Sequence, residues 1–268
     1  MLGLGSSIVT QGFVEGAPAP LLLDTYTGAA AAYSLRKLSN NYTGSAIEVS
    51  DGTNTQDIGF DANGGLDTSA LATFCGSNNG TITKWYDQSG NSNDAIPPTS
   101  NSRPKIYDGT DGVEEENSKP AMQLDNIDDG FDLTTNIADG THYTFVVHAL
   151  NSSNNSWGIF RESTSNAIVP IALNGSTGAI SFGYTLDSLY KDDQSAFSGT
   201  RDNLHDLYTS AGQSLTTMKF SGQEIDGFFS RANFYHWGAA QEVIIFDSDQ
   251  DTNRTAIQTN INDFYSIF

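Results

Sequence analysis

The chain has 268 residues and a formal net charge of −20, with 12 Lys and Arg set against 32 Asp and Glu. Such a surface repels phosphate backbones and anionic lipid, which excludes nucleic acid and membrane surfaces as partners and leaves neutral glycans and cations. Fifteen Phe, eleven Tyr and three Trp, in a background of Gly, Asn, Ser and Thr, supply a large core and favour many short strands joined by turns. Cys75 is the single cysteine, so there is no intrachain disulfide, in agreement with assembly in a reducing cytoplasm. The N-terminus has no basic region ahead of its apolar residues, so no signal peptide is expected. No apolar run approaches the ~20 residues needed to span a bilayer, and a soluble protein is expected.

Residues 1–23 are small and apolar, with Pro18 and Pro20 stiffening an extended piece. Leu2, Leu4, Ile8, Val9 and Phe13 are costly to leave in water, so this segment reads as a docking arm on a neighbouring subunit. The alanine-rich run 28–38 predicts a short helix ended by Asn40 and Asn41. Ile47 and Val49 alternate with polar residues as a strand, Asp51-Gly52 turns, and 56–60 returns. Asp67 is the N-cap expected for a second helix with Leu71 and Phe74 facing inward.

Beyond residue 95 a loop punctuated by proline leads to an edge strand at 104–107, and the acidic stretch 108–132 predicts a solvated loop. Residues 143–150 mix β-branched and aromatic side chains almost without charge, which marks a core strand. Further strands are expected at 157–160, 167–173, 179–184, 204–211, 214–220, 232–237 and 242–246. Ile257, Ile261, Phe264 and Tyr265 fall at helical spacing, so the tail reads as a terminal helix capped by Asp251 or Thr252. Together these elements predict one all-β sandwich domain over 24–268, with short peripheral helices, preceded by the arm.

The stretch 81–95 organises the first half. It begins as a strand and breaks into a polar turn containing Asp87, Ser89, Gly90, Asn91, Asn93 and Asp94. Residues of these types tie loops by folding back onto backbone N–H groups, which makes a structural corner. The same oxygens are hard donors, so Asp87, Asn91, Asn93 and Asp94 are also the candidate ligands of a Ca²⁺ loop, the one cofactor the sequence suggests. The spacing is not that of an EF-hand.

The segment Tyr86-Asp87-Gln88-Ser89-Gly90-Asn91 with Asn93 resembles the catalytic domain of the fungal arabinofuranosidase B family, as do Ala32 to Arg36, Tyr42-Thr43-Gly44, Gln56 to Phe60 and Leu66-Asp67-Thr68. The resemblance implies a concanavalin-like jelly roll. The same combination of segments resembles sandwich domains of tailed-phage structural proteins. A family of this kind places a Glu nucleophile before a Leu-Gly turn and an Asp acid in a Gly-Gly-Asp-Asn run. An ungapped comparison puts the first on or near Pro170 and the second in 228–233, neither of which carries an acid; a gap of several residues brings Glu162 or Asp226 into play. The family's short Cys-x4-Cys loop keeps Cys75, but Gly80 stands at its partner's place.

With both chemical positions lost in that register, the sequence points to a non-catalytic structural protein of a phage particle, assembled in the host cytoplasm. Its partners would be copies of itself, other virion proteins and host surface glycans. The alternatives are an arabinofuranosidase-like hydrolase and a free lectin-like module. Trp157, Tyr235, His236 and Trp237 are the candidate sugar contacts, since sandwiches of this type bind sugars with exposed aromatics.

Overall fold

The computed structural model describes residues 18–151, 155–210, 212–229 and 234–268. Leu2, Leu4, Ile8, Val9 and Phe13 of the expected arm lie outside the described residues. The described residues form an antiparallel β-sandwich with four short helices among them, the jelly-roll-like architecture expected from the sequence.

The long strand Trp237–Phe246 is its spine. It pairs with Thr141–Leu150 on one side, and with Ala29–Ser34 and Met122–Asp125 on the other. The strand Thr141–Leu150 is buried on both faces, as its uncharged composition foretells. Val146 and Leu150 enter the main core, while Tyr143, Phe145 and Val147 pack under the terminal helix Arg254–Tyr265 with Ile257, Ile261 and Tyr265. In the main core Tyr33, Trp85, Phe131 and Phe228 form one aromatic cluster with ring centroids 5.3–6.2 Å apart. Among the described residues no helix is long and apolar enough to cross a membrane.

Four local expectations are corrected. The alanine-rich run is a strand, Ala29–Ser34, because pairing along Glu242–Phe246 and close burial of its small side chains override helix propensity. Residues 204–211 do not form a strand: Arg201–Thr209 is a helix, opened by a reciprocal cap between Thr200 and Asn203 and burying Leu204, His205 and Tyr208 on one face. The strand ahead of that helix is Thr185–Lys191 rather than 179–184, where Phe182 alone forms a bridge, to Ile168. The terminal helix is real, but its N-cap is Asn253 without a side-chain bond, not Asp251 or Thr252.

The corner at 87–94 joins the two halves. Asp87 accepts hydrogen bonds from the N–H groups of Ala32 (2.9 Å), Ser89 (2.8 Å) and Asn93 (3.0 Å) and from the Ser89 hydroxyl (2.7 Å). Gln88 accepts from the Leu38 N–H and donates to the carbonyls of Ser34 and Arg36. Asn91 donates to Ala29 and Ala30, and Asn93 exchanges hydrogen bonds with Thr135. The corner thereby fastens the Ala29–Ser34 strand to Phe131–Ile137.

Candidate active site

Three neighbouring strands carry the site: Phe131–Ile137, Ile225–Phe228 and Ser156–Glu162. Their register puts Phe131, Phe228 and Phe160 in one row and Asp132, Gly227 and Arg161 in the next. Because successive side chains alternate between faces, the first row fills the core and the second faces outward. Gly227 is the gap in the outward row. A Cβ placed there would lie 2.5 Å from Nη2 of Arg161, so the absence of a side chain lets the guanidinium cross the middle strand.

Arg161 uses that gap to hold two carboxylates. Its Nη1 donates to Asp226 Oδ1 at 2.6 Å, and its Nη2 donates to Asp132 Oδ1. Asp226 also accepts from the Ser163 N–H through Oδ2 at 2.6 Å, so both of its oxygens are fixed. Asp132 is held through one oxygen, and its side chain is 49% exposed, against 15% for Asp226. Adjacent nitrogens of one planar group therefore set two carboxylates side by side, one largely shielded and held through both oxygens and one half open to solvent.

These groups floor a cleft of about 620 Å³, within the range of small-molecule sites. Its walls include Thr99, Ser102, Asp128, Asn136, Asn166 and Tyr235. Asp128 belongs to a turn in which it, Asp125 and Asp129 bring carboxylate oxygens within 4.8 Å of one another. Burial and then the charge of Asp125 push the Asp129 carboxyl up to about 7, against the hydrogen bond it accepts from the Asp125 N–H.

Glu162, next in sequence to Arg161, lies in a separate hollow with Asp139 and Glu224. Burial pushes its carboxyl up, but hydrogen bonds from the Ser165 hydroxyl and the Ser165 and Thr164 N–H groups outweigh this and hold it at about 2. It is a turn anchor rather than a member of the cleft.

Of the four aromatic sugar contacts expected from the sequence, only Tyr235 lines the cleft. Trp157 and His236 are corrected: both are fully buried, in a cluster with His148 and Tyr208, where no sugar can stack. Trp237 is partly exposed and pairs with Asp125 at the edge of the acidic turn. The expected calcium ligands do not converge on a free site. Asp87, Asn91 and Asn93 are taken up by backbone groups, and Asp94 accepts from the Asp87 N–H. Asp132 and Arg161 were not singled out by the sequence. Their signal is the alternation Phe131-Asp132 and Phe160-Arg161, which identifies outward positions only once the strands are paired.

The ungapped register of catalytic positions is also corrected. Pro170 lies buried within the strand Ala167–Leu173, and Phe228 and Phe229 are core residues, so none of these three faces a substrate; 230–233 lie outside the described residues. Asp226, which a gapped register brings in, is in the cleft. At the Cys75 loop, a Cβ on Gly80 would lie 2.6 Å from the Cys75 sulfur, so the two positions remain adjacent although only one cysteine is present.

Comparison with known proteins bears on the family and the fold. The family model for the catalytic domain of α-L-arabinofuranosidase B matches residues 19–160, more than half of the chain. Three solved structures are similar at 16% identity, each over 90% of this chain. They are an arabinofuranosidase complexed with arabinofuranosyl-α-1,2-xylobiose (TM-score 0.55), a GH54 α-L-arabinofuranosidase soaked with a cyclic sulfate inhibitor (0.50), and a mutant of a GH54 α-L-arabinofuranosidase soaked with 4-nitrophenyl α-L-arabinofuranoside (0.56). At that identity the likeness speaks to the fold. The chain spans 64% of the length of each. Comparison with curated proteins returns no match. The expectation of a non-catalytic phage structural protein is overturned by the family match, which is to a hydrolase catalytic domain. The family model matching residues 19–160, which include the corner that fastens the sheet through Asp87 and Gln88, gives one conclusion: the chain belongs to the arabinofuranosidase B catalytic-domain family.

Proposed function

We propose that this chain is a glycoside hydrolase that releases α-L-arabinofuranosyl groups by double displacement in the Arg161 cleft. The observation that carries this reading is the pair of carboxylates on one guanidinium, Asp226 and Asp132. A retaining glycosidase needs two carboxyl groups roughly 5 Å apart, closer than the spacing that seats a water between them. Sharing one planar cation imposes a close spacing of that kind.

The environments assign the roles. Asp226, fixed through both oxygens, is the nucleophile: its carboxylate attacks the anomeric carbon as the bond to the leaving oxygen breaks. Asp132, half exposed in the cleft, is the acid/base: it gives its proton to the leaving oxygen, which departs as an alcohol. Water then enters, Asp132 takes its proton, and the hydroxyl displaces Asp226 from the sugar, regenerating both groups. Arg161 orients both carboxylates and balances the charge of the pair. Tyr235, Asn136 and Asn166 surround the sugar with an apolar face and amide groups. The cycle needs no cofactor.

Hydrolysis of 4-nitrophenyl α-L-arabinofuranoside tests the reading. Turnover by the wild type that falls by about 10²–10⁴ in Asp226→Asn and in Asp132→Asn, with the fold retained, is the expected result. Binding of the sugar without turnover by the wild type would overturn it.

A further inference from the structure

We propose a second sugar site, separate from the Arg161 cleft, that holds one unit of a neutral glycan without cleaving it. It is a pocket of about 330 Å³, at the small end of ligand sites and of a size for one sugar ring. The loop 61–68, the hairpin of Glu115–Glu116 with Lys119–Pro120, and the end of the terminal helix at Phe264 and Tyr265 surround it. None of its lining residues lines the cleft. The hydrolase reading enters only in naming a glycan as the ligand, and the experiment separates the two.

The three pieces are fastened to one another by side chains that do not line the pocket. Gln241, buried in the spine strand, donates to the carbonyls of Lys119 (3.3 Å) and Pro120 (3.1 Å) and so ties the hairpin down. Asn117, at the hairpin tip, donates to the Tyr265 carbonyl at 2.8 Å and ties it to the helix end. Arg36 is buried and bonded to both oxygens of Glu242, at 2.7 and 3.1 Å. Its guanidinium carbon lies 5.2 Å from the Phe264 ring centroid, and its backbone bridges to Gly65 of the loop. The pocket is therefore shaped before a ligand enters, which spares much of the ordering cost of binding.

The polar side chains of the lining are, by contrast, uncommitted among the described residues. Asp61 accepts from the N–H groups of Asn63 and Gly65 through Oδ1, at 2.9 Å each, and keeps Oδ2 free. The side chains of Glu115 and Asn63 make no hydrogen bond to the protein, and Lys119 forms no ion pair; its ammonium rests 4.5 Å from the Phe264 ring centroid. A sugar hydroxyl both donates and accepts. The carboxylates of Asp61 and Glu115 can accept from such a group, while Lys119 and the Asn63 amide can donate to it. Leu66, Pro120 and Phe264 give the apolar wall against which the C–H face of the ring packs. Two carboxylates beside one ammonium disfavour an anion, and the ammonium disfavours a cation, so the lining selects a neutral polyhydroxyl ligand.

The test is native electrophoresis of the full chain through gels with and without a soluble neutral arabinoxylan, with turnover of 4-nitrophenyl α-L-arabinofuranoside measured alongside. The double variant Glu115→Ala with Lys119→Ala removes one charge of each sign, so its mobility in the blank gel matches that of the wild type. Asn63→Trp fills the pocket from its rim and is an independent second variant. Retardation of the wild type by the glycan is expected, with an apparent Kd that rises about tenfold in each variant, as loss of charge-assisted hydrogen bonds gives. Turnover of the aryl glycoside reads the cleft alone and is expected to stay within about twofold of the wild type in both variants. Equal retardation of the wild type and both variants would overturn the proposal. So would no retardation of the wild type, or retardation by polygalacturonate as strong as by the neutral glycan. Retardation that depends on the pocket in a protein without aryl turnover strikes the hydrolase reading alone; turnover without such retardation strikes this proposal alone.

Discussion

The Asp87 corner and the Arg161 cleft are both built from acidic residues at strand ends, yet their hydrogen bonds go to different places. At the corner, Asp87 is 3% exposed and its oxygens accept only from nearby N–H and O–H groups of the protein. At the cleft, the carboxylates answer to one shared guanidinium, and Asp132 keeps half of its surface toward solvent. A carboxylate enclosed by backbone and hydroxyl donors stabilises a fold; one held by a cation at the wall of a cavity can still act on something else. Residue type does not separate the two regions, whereas the direction of their hydrogen bonds does.

The largest contrast expected is between activity and stability. Asp226→Asn lowers kcat per folded molecule on an aryl arabinofuranoside by about 10³, together with a lowered thermal midpoint, since its NH2 must face either Arg161 or the Ser163 N–H. Asp87→Ala acts on stability alone. Removal of its four hydrogen bonds costs about 3–5 kcal/mol at ~1 kcal/mol each, read by urea denaturation, with kcat per folded molecule retained. A loss of kcat at the corner, or intact kcat at the cleft, breaks the contrast.

Gly227→Ala gives a smaller effect on the same axis. A methyl group 2.4 Å from the Phe131 carbonyl oxygen and 2.5 Å from Nη2 of Arg161 pushes on the neighbouring strand and displaces the guanidinium, so kcat per folded molecule falls by ~10²-fold, as misplacement of about 1 Å suffices to do, and the thermal midpoint falls with it. Replacement of a glycine outside the cleft with free space around it, such as Gly59, provides the control.

Next comes a pH effect confined to the cleft region. The Asp129 carboxyl is pushed up to about 7 by burial and the charge of Asp125, above its unfolded value near 3.8. Its contribution is therefore fully present below the unfolded value and lost as pH rises through about 7. Asp129→Asn is expected to raise the thermal midpoint at pH 8 relative to the wild type and to leave it nearly equal at pH 4. The buried His236 works with the opposite sign. Burial pushes it down to about 4, so stability is lost as pH falls from 6.5 towards 4, and His236→Phe is expected to flatten that decline. The smallest effect expected is at the corner's rim, where Asn91→Ala removes two hydrogen bonds to Ala29 and Ala30 and costs about 1 kcal/mol.

The corner was legible in the sequence because its chemistry is local: Asp87, Ser89 and Asn93 lie within six residues, and their types alone imply a tied loop. The strand Thr141–Leu150 and the helix Thr68–Cys75 were legible for the same reason, one from its unbroken apolar run and the other from the Asp67 cap. The cleft was not. Asp132, Arg161 and Asp226 are separated by 29 and 65 residues along the chain, and a strand register that no local pattern encodes brings them together. Ala29–Ser34 misled because alanine favours a helix when isolated, whereas here its small side chain permits close packing of the strand. The helix Arg201–Thr209 was missed although Leu204, His205 and Tyr208 fall at helical spacing behind the Thr200 cap.

The most direct test of the paired-carboxylate site is chemical trapping. A cyclic sulfate of α-L-arabinofuranosyl configuration, incubated with the wild type and followed by peptide mapping, should leave one sugar esterified to Asp226, with no label in Asp226→Asn. A label on a carboxylate outside the cleft, or none on a protein that turns over the aryl glycoside, would contradict it.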